Sequence, residues 1–510
     1  MLILVLILAT LLPQNPALES SPTEVAAAQT LVQQGQFQKA ADTYRAILTK
    51  MPDSPEAHAG LVQSLLKLDE VDAADTALQA ALAAIPHSSV VRAARGDVYF
   101  RRGLMESAER EYQASLNIDA NCARALLGLG RVYAAESRRS KARDLFAKAH
   151  ALAPDDGDAL YYWAINLQYP RNAEALAQHL AQFRDDPDKE RREREYMEFI
   201  KALAGRDIWI LSHPVEQTEI RLETLLAPAQ PGGIADRTSA PLSSGSSMTL
   251  SGLGLRVSLN GVSKTLLLDT GASGVTIPKS LADKIGARRL SEQSLEGVGN
   301  SGAATGYNAW VDKVSIGELE FHDCVVHVSL RNDSGQADGI IGSDIFDRYL
   351  VTIDFPGRKL ALGPLPAAEE KSEEEIAAHG AFSRVFSFGH LLLVPTHINP
   401  DASGLFIIDT GAYSDFISPA MARHTGGLGN SNSVVLGRSG KVKDVYEAGN
   451  VVLQFSHYKL PSENIRAIDL HPQSKTLGAE VSGFLGFPAL RHMKLKINYR
   501  DGLVDFESKP

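Results

Sequence analysis

The sequence predicts a multidomain chain, with an N-terminal all-α solenoid followed by an all-β module of two duplicated lobes. Three observations carry this. Small, aromatic and proline positions recur every 34 residues between residues 31 and 154. Near residue 250 the helical periodicity stops, glycine becomes frequent, and short β-branched runs alternate with turn residues. In that second part the triplet Asp-Thr-Gly ends an apolar run twice, at Asp269-Thr270-Gly271 and at Asp409-Thr410-Gly411.

The N-terminus comes first. Residues 2–12 are aliphatic except for Thr10. A membrane-spanning helix needs about 20 apolar residues, so this run is too short and suits the core of a signal peptide. Pro13, Pro16 and the small residues near Ser20 and Ser21 would form the cleavage region, although no Lys or Arg precedes the run. Residues 1–20 are therefore expected to be a leader. The chain is expected to be exported to a periplasmic or extracellular space, with anchoring by the apolar run as the alternative.

Residues 23–204 form the helical domain. Ala40, Ala74, Ala108 and Ala142 lie 34 residues apart, as do Tyr44, Leu78, Tyr112 and Phe146, and Leu31, Leu65, Tyr99 and Tyr133. Pro52, Pro86 and Pro154 share the lattice, with Ala120 at the missing position, and Gly35 and Gly103 mark turns in alternate repeats. Small residues let helices approach closely, aromatics fill the space between them, and proline ends the second helix. The pattern resembles tetratricopeptide repeats, with four full copies and a decayed fifth over 158–187. The resemblance implies a concave surface that binds a peptide or a protein partner; the alternative is a spacer or stabilising arm. The run 189–195 mixes both charge signs and reads as a solvated helix face or a capping helix.

Residues 205–248 contain Pro228, Pro231, Gly232, Gly233 and a serine-rich stretch over 239–247, and read as a linker. The first lobe spans 249–366. A charged link follows at 367–379, and the second lobe spans 380–508. Each lobe repeats one plan. In the first, the apolar run 264–268 enters Asp269-Thr270-Gly271-Ala272-Ser273, and Gly339-Ile340-Ile341-Gly342 follows. In the second, 405–408 enters Asp409-Thr410-Gly411-Ala412-Tyr413, and Gly483-Phe484-Leu485-Gly486 follows. A closing hairpin ends both.

The apolar strand, Asp-Thr-Gly-Ala and downstream apolar-apolar-Gly resemble retropepsin-like aspartic peptidases over residues 249–508. The resemblance implies that each lobe supplies one aspartate and that the two lobes meet face to face. Two carboxylates about 3 Å apart share a proton, so one can act as base on a water while the other polarises a carbonyl. It assigns Asp269 and Asp409 as the catalytic pair, supported by Thr270, Gly271, Thr410 and Gly411. It also implies flaps over a peptide: the first over 295–307, with Gly297, Gly299 and Tyr307, and a weaker second over 434–446, with Tyr446. The expected activity is aspartic endopeptidase action on a peptide or protein substrate, with the repeats holding a partner or the substrate. The alternative is a catalytically inactive, protease-like scaffold that binds proteins.

Other chemistries are disfavoured. A net charge of −10 argues against a nucleic-acid partner, which calls for a basic face. Cys122 and Cys324 form no C-x-x-C pair and read as buried thiols, so no metal and no cofactor are expected. Residues 297–302 match G-x-G-x-x-G, but no helix follows, so a dinucleotide site is rejected. Asp338, Asp344, Asp354 and Asp415 read as turn or surface residues. Two departures mark the second lobe: Tyr413 stands where the first has Ser273, and no Asp precedes Gly483. Ala272 and Ala412 offer no hydroxyl to the aspartates, which predicts a weakly acidic to neutral pH optimum.

Overall fold

The structure, a computed structural model, describes residues 21–508 except 214, 229–247, 300–301, 332–336, 368–381, 400–401, 426, 432–434 and 464. Antiparallel helices, from Ser21–Gln33 to Pro187–Leu203, make up the first part. Their starts follow from local chemistry. Ser54, Ser88 and Asp156 each accept a hydrogen bond from the backbone N–H three residues on, at Ala57, Val91 and Ala159.

The 34-residue lattice is a packing lattice. Tyr44, Leu78, Tyr112 and Phe146 are buried, and so are Ala40, Ala74, Ala108 and Ala142. Each aromatic sits where a neighbouring helix has no side chain. A Cβ on Gly60 would lie 2.3 Å from the Tyr44 ring, and one on Gly128 would lie 2.2 Å from that of Tyr112. The turn within each repeat also follows the lattice: Gly35, Asp69, Gly103 and Ser137 take φ of 70°, 65°, 75° and 62°. Sequence alone marks only the two glycines, because Asp69 and Ser137 make the same left-handed turn without announcing it.

The β module contains a nine-stranded sheet in the first lobe, a ten-stranded sheet in the second, and a six-stranded sheet shared by both. In the shared sheet the closing strands of the two lobes, Leu350–Asp354 and Met493–Asn498, pair antiparallel with Val351 opposite Ile497. The duplication therefore joins its two halves by backbone hydrogen bonds. Part of the segment expected as linker is built into these sheets. Ile210–Leu211 pairs with Leu319–Ser329, Thr218–Arg221 with Lys359–Gly363, and Glu223–Pro228 with Met248–Leu259. The serine-rich stretch 239–247 and most of the charged link 367–379 lie outside the described residues.

Repeats and second lobe share one apolar core. Phe100, Met105, Leu129 and Val132 pack with Phe386, Leu405, Ile407 and Val442. The Glu480 N–H donates to the Arg101 carbonyl at 2.9 Å.

The expectation of export or membrane anchoring is not sustained. Among the described residues no helix is long and apolar enough to cross a membrane. The longest, Pro187–Leu203, has 17 residues and carries the charged run. The apolar run at 2–12 lies outside the described residues.

Candidate active site

Each Asp-Thr-Gly turn stands at the C-terminal end of a strand anchored by buried apolar side chains, Leu266 and Leu268 in the first lobe and Leu405, Phe406, Ile407 and Ile408 in the second. In the first lobe Val262–Asp269 runs parallel to Ile340–Gly342, with Asp269 opposite Gly342, and Ile340–Gly342 also pairs antiparallel with Val275–Pro278. In the second, Ala402–Ile408 runs parallel to Gly483–Leu485, which pairs antiparallel with Phe416–Ile417. The downstream apolar-apolar-Gly motif is thus a short strand threaded between the two sides of the aspartate turn. It fixes where the turn projects.

The two turns meet. The carboxyls of Asp269 and Asp409 are in hydrogen-bonding contact. Below them the threonines lock reciprocally across the lobes. Thr270 N–H donates to Thr410 Oγ1 at 3.0 Å, and Thr410 N–H donates to Thr270 Oγ1 at 3.1 Å. Each hydroxyl then donates to the opposite strand, Thr270 to the Ile408 carbonyl at 2.7 Å and Thr410 to the Leu268 carbonyl at 3.0 Å. The glycines are required by proximity. A Cβ on Gly271 would lie 2.7 Å from Asp409 Cγ, and one on Gly411 would lie 2.4 Å from Asp269 Oδ2. Gly271 N–H donates to Asp269 at 2.8 Å, and the Gly411 and Ala412 N–H groups donate to Asp409 at 2.9 and 2.8 Å.

Electrostatics separates the pair. Both carboxyls keep some surface toward the cleft, but protein surrounds them otherwise, and this desolvation raises both above the ordinary carboxylate range. Asp409 is raised further, because after burial it also bears the repulsion of Asp269. One shared proton is the expected state of the pair over a broad pH range.

A second pair of acids braces the turns. Asp344 accepts from Ser273 Oγ at 2.7 Å and from the Gly274 N–H at 2.9 Å, tying the downstream loop of the first lobe to its aspartate turn. In the second lobe the direction is reversed. Asp415, within the turn segment, accepts from the Gly486 N–H of the downstream loop at 2.7 Å. Asp415 is buried, and that burial pushes its pKa up to about 7. The expectation that these two are turn or surface residues is corrected. The same gap needs bridging in both lobes, and Ser273 and Tyr413 differ because the bridging acid comes from opposite sides.

Both lobes place a hairpin where a flap is expected. In the first, Arg288–Leu295 and Ala304–Ile316 form the hairpin stem. In the second, Leu436–Gly437 pairs with Gly440–Lys441. The tips touch: Gly297 N–H donates to Ser439 Oγ at 3.1 Å, and Ser439 N–H donates to the Val298 carbonyl at 2.9 Å. Glycine is demanded here too, since a Cβ on Gly437 would lie 2.1 Å from the Val298 oxygen. Around the pair of aspartates is a cleft of about 1090 Å³, with Ile277, Ile340, Leu391, Ile407 and Phe484 among its apolar walls.

A family model described as aspartyl protease matches residues 255–345. Two described as tetratricopeptide repeat match residues 31–98 and 93–157. The chain joins tetratricopeptide repeats to an aspartyl protease-like module. No curated protein matches it by sequence. Among solved structures it is similar to an aspartic proteinase from Irpex lacteus, at 11% identity over 57% of this chain and 97% of that one, with a TM-score of 0.36. It is also similar to pilF of Pseudomonas aeruginosa, at 19% identity over 37% of this chain and 86% of that one, with a TM-score of 0.25.

In the protease-like module the expected flap residues divide. Gly297 and Gly299 line the cleft. Tyr307 does not; it is buried in the lobe core, where Arg289 stacks on its ring at 4.5 Å. Tyr446 packs half-buried against the same core and is also absent from the cleft wall. Strand alternation turns both rings inward. Tyr413 does line the cleft, edge-on to Phe416 at 5.9 Å.

Sequence reasoning missed several cleft residues. His390 meets the Gly271 carbonyl through Nε2 at 3.2 Å, from the opposite lobe. Burial lowers its pKa, against the pull of Asp344 and Asp269. Arg438 stands on the second flap, and Asp186, Asp188, Arg191 and Arg192 enter from the repeat domain. No local pattern marks these residues, since each is defined by what lies across the cleft from it.

Proposed function

We propose that the module is an aspartic endopeptidase, with Asp269 and Asp409 as the catalytic pair in one intramolecular site. The observation that carries this reading is the reciprocal threonine lock, which holds the two carboxyls in contact within a single chain. One aspartate, ionised, takes a proton from a water placed between them. The other, protonated, donates to the scissile carbonyl, and a tetrahedral intermediate forms without a covalent link to the protein. The flaps cover the peptide, and the apolar walls receive its side chains. The intact pair and its complete support speak against an inactive scaffold. The repeats are part of the proposal as the segment that engages a protein partner or the body of the substrate.

The test is a peptide library incubated with the full chain and with Asp269→Asn and Asp409→Asn. Cleavage by the parent that both variants lose supports the reading. Cleavage that survives Asp409→Asn sinks the intramolecular pair.

A further inference from the structure

Helix Pro187–Leu203, the last of the repeat domain, belongs to the cleft as much as to the array. Its first turns and its cap residue, through Asp186, Asp188, Arg191 and Arg192, line the same cleft as Asp269 and Asp409. From there the helix is tied to both lobes.

On the first lobe it grips the base of the flap tip. Arg191 reaches Glu296 at 2.7 Å, and Arg192 reaches the same carboxylate at 3.2 Å. One turn further on, Glu195 accepts from the Ser294 N–H at 3.0 Å and from the Ser294 hydroxyl at 2.6 Å. Glu296 immediately precedes Gly297, whose N–H meets the second flap. On the second lobe, Lys475 of helix His471–Leu477 bonds to Asp186 at 2.7 Å. Lys475 lines the cleft as well.

The helix is itself held firmly by the array. Lys67 bonds to Asp158 at 2.8 Å and to Asp185 at 2.9 Å. Arg184 N–H donates to the Gln33 carbonyl at 2.8 Å, and His179 meets Glu193 at 2.7 Å in a buried pair. The segment leading into the helix therefore reaches back to the first and third helices of the array, and the helix moves only if the array yields.

We propose that this helix is a bar linking the first flap to the second lobe, and that through it the repeat array sets how far the flap opens and which substrates are admitted. The inference rests on the peptidase reading for its substrate half. Each contact of the helix with the two lobes is a partly exposed ion pair or charge-assisted hydrogen bond, and singly such pairs contribute little. Here they act together on one helix. A short peptide fits the space beneath touching flap tips. A long chain or a folded loop requires the first flap to swing away, which breaks the grip at Glu296 and Ser294. Arg191 and Arg192 are thus positioning residues that act through the flap.

The test uses the full chain and Glu296→Lys, which turns two attractions into repulsions. Two quantities are read: the kcat/KM for an unfolded protein chain relative to a short peptide taken from it, and hydrogen exchange at the Ser294 and Gly297 amides. The expected result is a rise in the ratio of about threefold to tenfold, the size expected from losing two partly exposed pairs, with faster amide exchange. Adding Arg192→Glu to Glu296→Lys moves both readouts back toward the parent, which a simple folding defect would not do. An unchanged ratio with unchanged exchange overturns the bar and leaves the peptidase reading standing. Faster exchange in a chain that cleaves neither substrate overturns the peptidase reading and leaves the mechanical bar.

Discussion

Asp415→Asn gives the most quantitative test of how the second lobe is built. Asp415 sits behind the Asp409 turn and accepts from the Gly486 N–H at 2.7 Å. Burial pushes its pKa from 3.8 up to about 7. A raised acid stays protonated in the folded chain while the unfolded chain ionises. Its effect on stability is therefore nil below pH 3.8, and stability is lost progressively as pH rises from there through about 7. At 1.36 kcal/mol per pKa unit, this group costs roughly 1.7 kcal/mol at pH 5 and about 4 kcal/mol at pH 8. Asparagine keeps the shape and an acceptor but cannot ionise. It forfeits part of the carboxylate's hydrogen bonding, worth about 1 kcal/mol. Calorimetric unfolding of parent and variant at both pH values isolates the effect of this carboxyl, because other titrating groups cancel in the difference. The parent should lose roughly 2.5 kcal/mol more than the variant between pH 5 and pH 8. A variant that loses as much as the parent would refute the claim that Asp415 is a protonated buried brace.

Asp269→Asn and Asp409→Asn should each reduce peptide cleavage by about a thousandfold or more, since neither half of a general acid–base pair works alone; initial rates check this, and a residual tenth of the parent rate in either would refute it. Thr270→Val removes the acceptor of Thr410 N–H and the donor to the Ile408 carbonyl. Two buried groups left unpaired at about 1–3 kcal/mol each should lower the unfolding transition of the β module markedly, and an unchanged transition would show that the lock is not closed in solution. Because burial lifts both carboxyls of the pair, the singly protonated form should lie above the usual carboxylate range, with activity falling on its acid side as both protonate and on its alkaline side as both ionise. A pH–rate profile that peaks in strong acid contradicts this. In the repeats, Gly128→Ala places a methyl 2.2 Å from the Tyr112 ring and should destabilise the array by about 1–3 kcal/mol, despite the better helix propensity of alanine; a rise in the helical melting temperature would refute the packing lattice.

The parts whose signals are local or periodic are legible in the sequence. A step of 34 residues is enough to place a helical array, because each repeat meets its neighbour in the same way. An apolar strand that ends in Asp-Thr-Gly is enough to place each turn, and its duplication is enough to expect two lobes. How these parts meet depends on contacts between residues far apart in the chain. The aspartates touch because threonines 140 residues apart exchange hydrogen bonds. Asp344 and Asp415 look alike as turn acids in the sequence, yet each is a brace because a loop some 70 residues away offers it an N–H. Tyr307 and Tyr446 point into the core because of strand pairing, although they stand beside glycine-rich tips. The charged run near Arg191 has the composition of a solvated helix. It becomes a cleft wall because the array folds back onto the flap, where Glu296 and Ser294 supply partners that no local pattern can announce.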